Sequence, residues 1–317
     1  MADPIRVPVK KVAPQKPVAG PIHGYFIFSV ADNRLYMTNP QLVVHSHSMG
    51  LGGRPGHETP NTSGWLRYIR TLPNWTAPPS VVNGPNARFN NKSLLELYAT
   101  LEGQARLIKE GFDLSEAPKK FVIPSNPHAP LGLATFMFDN PHSVYLHGTP
   151  DNKAFDKVRA GKLVTAADLY ATAGCVRLPP EVVRNLVAFL APGDERRTLY
   201  LMSLLKETTP DGKQWANPLQ YDSKGQLVDY RNKTLNVNQN IWVMFTQDPV
   251  QVKPIPGITD SKLGQMVLNP AQKAMLPKAG NEAQAAHGQP QAVSAAPKAK
   301  DGETKQGGWT TKVNAAP

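Results

Sequence analysis

Cys175 is the only cysteine in 317 residues. It sits in the run Ala171-Thr172-Ala173-Gly174-Cys175-Val176-Arg177-Leu178. A thiol becomes a nucleophile near neutral pH when a base takes its proton, and histidine is the usual base. One histidine, His147, closes a strand-like run, Val144-Tyr145-Leu146-His147-Gly148-Thr149-Pro150. The two side chains meet only if the fold brings them together. Gly174 removes a side chain beside the thiol and would let a substrate carbonyl approach. Backbone N–H groups around Gly174 and Cys175 could then stabilise an oxyanion. If this stretch is extended, Arg177 shares a face with Cys175, and a guanidinium there could take a substrate carboxylate by paired hydrogen bonds. The bland reading competes with this one: a lone cysteine is often a buried, inert small hydrophobe.

The elements that must position these residues read mainly as strands. Tyr25 to Val30 predicts a strand, with Asn33 to Met37 as its hairpin partner, and Gln41 to Met49 a third. Gly50 to Gly56 is a glycine-rich loop, whose glycines permit close backbone approach. Leu133 to Phe138 and Ser143 to Leu146 are short strands around a turn at Asn140-Pro141. Ile241 to Thr246 is a further strand. Ser93 to Gly111 predicts one helix, with a capping box at Ser93 and Glu96 and a stop at Gly111. Its apolar residues Leu94, Leu97, Tyr98, Leu101, Ala105 and Ile108 fall on one face, as a core-facing stripe would. A second helix is expected over Pro180 to Leu190, closed by Pro192-Gly193. Leu199 to Leu205 fits a strand or a short helix. The expected class is mainly β with packed helices.

Composition limits the partners. The net charge is +11 and the isoelectric point about 9.6, a balance that favours polyanions: nucleic acid, anionic lipid or an acidic wall polymer. There is no tight basic block and no ladder of alternating aromatic and basic residues that would stack bases, so nucleic acid is not the expected partner. One cysteine excludes an internal disulfide and any multi-cysteine metal site. His45 and His47 share a strand face but lack a third ligand at suitable spacing, so no metal and no cofactor is expected. His57, His128 and His142 read as surface residues, and Asp211-Gly212 and Ser223-Lys224-Gly225 as turns. No apolar run reaches the roughly 18 residues of a membrane helix, and no signal segment stands at Met1. Residues 1–20, basic and proline-rich, and residues 256–317, rich in Ala, Pro, Lys and Gln, read as mostly disordered tails.

Leu146-His147-Gly148-Thr149-Pro150 and Thr172-Ala173-Gly174-Cys175-Val176-Arg177 resemble the two active-site motifs of the L,D-transpeptidases, the YkuD-type cysteine enzymes of the bacterial cell wall. Asn33-Arg34-Leu35-Tyr36 resembles the early strand of that domain. Gly53-Arg54-Pro55 with Thr59-Pro60, Pro73-Asn74-Trp75 with Pro78-Pro79, and Pro130-Leu131-Gly132 resemble its larger, YcbB-like branch. The resemblance implies a YkuD-like β-sandwich catalytic domain over residues 21–255, with a helical insertion at about 84–125. It implies Cys175 as nucleophile, His147 as base, and the Gly148 carbonyl orienting the imidazole. Arg177, Gly174, Thr172 and Thr149 would contact substrate, with the Gly174 and Cys175 amides in the oxyanion hole. The implied reaction cross-links peptidoglycan stem peptides, donor to acceptor, through a cysteine thioester in the periplasm or cell envelope. Carbapenem-type β-lactams would acylate the same thiol.

Three departures keep alternatives in view. Ala173 stands where many family members have a histidine. Residues Asp151 to Tyr170 lengthen the interval between the motifs, as a lid or an ornamental loop. No separate wall-binding repeat is evident. The alternatives are an L,D-carboxypeptidase or exchange enzyme acting as a wall-modifying effector, and a catalytically inactive peptidoglycan-binding protein.

Overall fold

The computed structural model describes residues 20–86, 89–125, 129–149, 153–162, 165–191, 220–221, 227–228 and 231–277. In chain order the first strands are β1 (Gly24–Ser29), β2 (Arg34–Thr38), β3 (Val43–Met49), β4 (Gly52–Gly53), β5 (Thr62–Thr71) and β6 (Trp75–Thr76). The helices α1 (Pro79–Asn83), α2 (Leu94–Tyr98) and α3 (Leu101–Lys109) follow, then β7 (Val122–Ile123), β8 (Ala134–Phe138) and β9 (Leu146–His147). Next come α4 (Lys153–Arg159), α5 (Ala166–Leu169), β10 (Tyr170–Thr172), β11 (Val176–Arg177) and α6 (Pro180–Leu190). The chain closes with β12 (Gln220–Tyr221), β13 (Leu227–Val228), β14 (Lys233–Asn236), β15 (Ile241–Thr246), β16 (Gln251–Lys253), β17 (Gly264–Val267) and α7 (Pro270–Ala274).

The main strands run in the order β11-β9-β8-β5-β15-β1-β2-β3-β17-β16, with β14 also on β5. The long β5 serves two layers. Thr62 to Trp65 pairs with β15, whereas Leu66 to Thr71 pairs with β8, across a register shift between Leu66 and Tyr68. A shift of this kind bends a strand and lets it pass from one layer to the next. The result is a β-sandwich with a few packed helices.

β1 and β15 are buried on both faces, which is why they read as nearly unbroken apolar runs. Alternation sends Phe26, Phe28, Val243 and Phe245 into the central core with Phe136, Leu146 and Val176. The same alternation sends Tyr25, Ile27 and Met244 into a second cluster on the other side. α6 closes the central core with Val183, Leu186, Val187 and Leu190, spaced three and four apart as one helical face. The expected bounds of α6 and β15 match the structure, while β9 is shorter than expected. The turn before it is held by Asn140, whose side chain bonds the backbone of Val144 at both N–H and C=O.

The single helix expected over 93–111 is two. The capping box at Ser93 and Glu96 is present, but Thr100 caps a new helix by accepting the Gly103 N–H. A threonine hydroxyl bonded to nearby backbone competes with helix continuation. The stripe splits accordingly. Leu94, Leu97 and Leu107 are buried, but Leu101 is 85% and Ile108 61% exposed. These helices share a separate core with Ala77, Phe89, Phe112, Phe121 and Ala129, so the inserted unit reaches beyond the expected bounds of 84 and 125.

The tail boundary expected at 256 does not hold for residues 264–277. β17 pairs with β3 and β16, Met266 and Leu268 are buried, and Asn269 and Gln272 form a capping box for α7. Residues 278–317, residues 1–19, Leu199 to Leu205 and the turns at Asp211 and Ser223 lie outside the described residues. Among the described residues, no helix is long and apolar enough to cross a membrane.

Candidate functional site

His147 ends β9, which is antiparallel to β8, with His147 opposite Thr135. β11 runs parallel on the other side, with Val176 opposite Leu146 and Arg177 opposite His147. Its ladder bonds are Val176 N–H to the Tyr145 carbonyl, 2.9 Å, and Leu178 N–H to the His147 carbonyl, 2.8 Å. Leu146 and Val176 point into the core. Side chains alternate across a sheet, so His147 and Arg177 point the other way, and Cys175 immediately precedes β11. Pro179 follows Leu178 as the N-cap of α6, Pro180 starts the helix, and its buried face packs on the core that holds Val176.

The imidazole of His147 is buried, at 4% exposure. Its Nδ1 lies 2.5 Å from the Gly148 carbonyl oxygen. A carbonyl can only accept, so Nδ1 carries the proton and Nε2 keeps a bare lone pair. Burial pushes His147 down to about 3, helped by the positive charge of Arg177 and opposed by the Gly148 hydrogen bond. Cys175 is half-buried and packs against the core. Burial raises its pKa, while a backbone hydrogen bond from Tyr145 and the charge of Arg177 act the other way. At neutral pH the imidazole and the thiol are therefore both neutral, and the Arg177 guanidinium acts on each.

The nucleophile loop is fixed by Thr172. Its hydroxyl donates to the Cys175 carbonyl at 2.6 Å and accepts the Gly174 N–H at 3.1 Å. The Gly174 amide is thus engaged inside the loop, and Thr172 clamps that loop. Gly174 has φ +104, a left-handed conformation that side chains disfavour, and packs against Val144 and the backbone of His57 and Glu58. Thr149 is buried. Ala173 is exposed, so the position that carries histidine in many relatives projects outward here.

The glycine loop forms the adjoining wall. The Leu51 backbone makes two hydrogen bonds with that of Arg177, 2.9 and 3.0 Å. β4 pairs in parallel with β10, and the Arg54 N–H bonds the Thr172 carbonyl. Gly53 passes so close to His57 that a Cβ would sit 2.0 Å from its carbonyl. The glycine run was the sequence signal for this wall, but its partner was not legible. Within the long interval between the motifs, Lys153–Arg159 and Ala166–Leu169 are helical. Phe155 of α4 packs against Leu51, and Lys157 holds Asp168 of α5 at 2.7 and 2.9 Å.

His47 is not placed for metal binding. Arg34 donates to its Nδ1 at 2.8 Å, which leaves Nε2 to donate to Asp260 at 2.9 Å. Among the described residues no group of three or more His, Cys, Asp or Glu is placed to hold a metal ion.

The buried imidazole has a consequence for stability. Folded, His147 stays neutral down to about pH 3, whereas its unperturbed value is 6.5. Below pH 6.5 the unfolded chain binds the extra proton, so stability falls as the pH drops towards 3. Between pH 7 and pH 5 this one group should remove about 2 kcal/mol. Urea unfolding of the wild type against His147→Gln should show that difference in slope, and parallel curves would contradict it.

A family model for the YkuD L,D-transpeptidase catalytic domain matches residues 23–199. A solved L,D-transpeptidase from Mycobacterium smegmatis aligns with 71% of this chain and 58% of its own, at 10% identity and a TM-score of 0.27. The chain thus spans less than two thirds of that protein's length. No curated protein matches the sequence.

Proposed function

Because the chain belongs to the YkuD family of L,D-transpeptidase catalytic domains, we propose that it cross-links peptidoglycan stem peptides in the cell envelope through a thioester on Cys175. The observation that carries this reading is the Gly148 carbonyl on Nδ1 of His147. It leaves Nε2 unprotonated, which supports its use as the base for the Cys175 thiol.

Nε2 takes the Sγ proton as sulfur attacks the carbonyl carbon of the third residue of a donor stem. The C–S bond forms and the carbonyl electron pair moves to oxygen. The Cys175 N–H donates to that oxyanion, since Gly174 is engaged by Thr172. The intermediate collapses, the C–N bond breaks, and the imidazolium returns its proton to the departing D-amino acid. A neighbouring stem amine then attacks the thioester, gives its proton to Nε2, and expels the thiolate, which is reprotonated. Arg177 holds a carboxylate of the stem. Thr172 keeps the nucleophile loop in shape, and Thr149 lines the same strand end. No metal or nucleotide enters these steps.

Incubation with disaccharide-tetrapeptide muropeptides should give a cross-linked dimer that has lost one terminal D-amino acid, read by mass. Tripeptide alone, whatever the acceptor concentration, would make the enzyme an L,D-carboxypeptidase. Unchanged substrate would refute the assignment.

A further inference from the structure

We propose that Gly132 is a positioning residue for the base: lacking a side chain, it lets the turn before β8 lie directly on the Gly148–Thr149 peptide and so fixes the carbonyl that holds the His147 ring. This rests on the role given to His147 above.

Gly132 closes a turn by donating its N–H to the Ala129 carbonyl at 2.8 Å. Its φ is +60. A Cβ at this position would lie 2.7 Å from Thr149 N, 2.8 Å from the Gly148 carbonyl carbon and 3.0 Å from Gly148 Cα. All three are backbone atoms and cannot swing aside as a side chain does. The contact is mutual, since a Cβ on Gly148 would meet Leu133 N at 3.1 Å. The Gly148 peptide is held on its other edges too: its N–H bonds the Ala134 carbonyl at 3.0 Å, and its carbonyl accepts from His147. Neighbouring Leu133 and Ala134 are fully packed in the core. A methyl group at 132 must therefore displace the Gly148 carbonyl. With that acceptor displaced, Nδ1 loses the hydrogen bond that fixes its proton. The alternative tautomer, protonated at Nε2, cannot take a proton from sulfur.

Gly132→Ala is the test, with Gly161→Ala and Gly257→Ala as controls. Those two glycines also have positive φ, +63 and +87, but nothing within 4 Å of a Cβ. They carry the backbone strain without the neighbour. Alkylation by iodoacetamide reads the thiol alone, because no other cysteine exists. We expect Gly132→Ala to slow alkylation about tenfold at pH 7, the scale of a displacement well under 1 Å at a reacting group. Nitrogen-15 spectra of the histidines should show the His147 proton shifting from Nδ1 towards Nε2, while the controls label and titrate as the wild type does. Wild-type labelling and tautomer in folded Gly132→Ala would overturn the proposal, as would equal slowing in the controls. If Gly132→Ala does not fold, Gly148→Ala reads the same contact from the other side, without left-handed strain. It should move both readouts in the same direction, and unchanged readouts would overturn the proposal. Neither measurement needs a wall substrate, so the proposal can fail while muropeptide cross-linking succeeds, and the reverse.

Discussion

Cys175→Ala should form no covalent adduct with a carbapenem and no cross-linked muropeptide. The effect is all or none because the chain has no second thiol to substitute, and every proposed bond change passes through this sulfur. The substitution is small: Cys175 is half-buried and its loop is held by backbone and by Thr172. The variant should therefore fold and still bind the stem peptide through Arg177. Intact-protein mass spectrometry after carbapenem exposure gives the answer directly. An adduct that survives in Cys175→Ala would place the chemistry elsewhere.

His147→Gln should lower the rate of carbapenem acylation by about 10²–10⁴-fold at pH 6, the usual contribution of a positioned general base. Glutamine can still donate to the Gly148 carbonyl, but it has no lone-pair nitrogen to offer sulfur. The pH dependence is the sharper readout. In the wild type, burial keeps His147 neutral down to about 3, so the base is present across the range from 5 to 8 and the rate should be nearly flat there. In His147→Gln only the thiolate reacts. Burial raises the Cys175 pKa, so that rate should climb tenfold per pH unit and the two curves should converge in alkali. A wild-type rate that climbs with the same slope would exclude the neutral pair.

The parts of this fold legible in sequence are those whose local pattern and tertiary setting agree. α6 has proline at its start and one apolar face, and the central core takes that face. β15 is an apolar run because both its sides are covered. What escaped was decided by backbone atoms. Whether Thr100 continues a helix or caps a new one depends on where its hydroxyl turns. Whether the Gly174 amide is available depends on Thr172. The tail boundary failed because averaging over 256–317 diluted one short strand whose stability comes from β3 and β16. Gly132 stands in a run that resembles a motif of the larger branch, but its contact with Gly148 joins the two ends of a strand pair and leaves no local trace.

His147 and Thr172 are anchored separately. β8 and β11 hold the first, and the backbone of Gly53 and Arg54 secures the residues that lead into the second. The chain from Lys153 to Leu169 thus joins two posts that are already set. Its length is decoupled from the spacing of the side chains it connects, and lengthening a tethered connection costs little, about 0.6 kcal/mol per doubling. This stretch is where the architecture can accept an inserted segment, provided Phe155 keeps its place against Leu51.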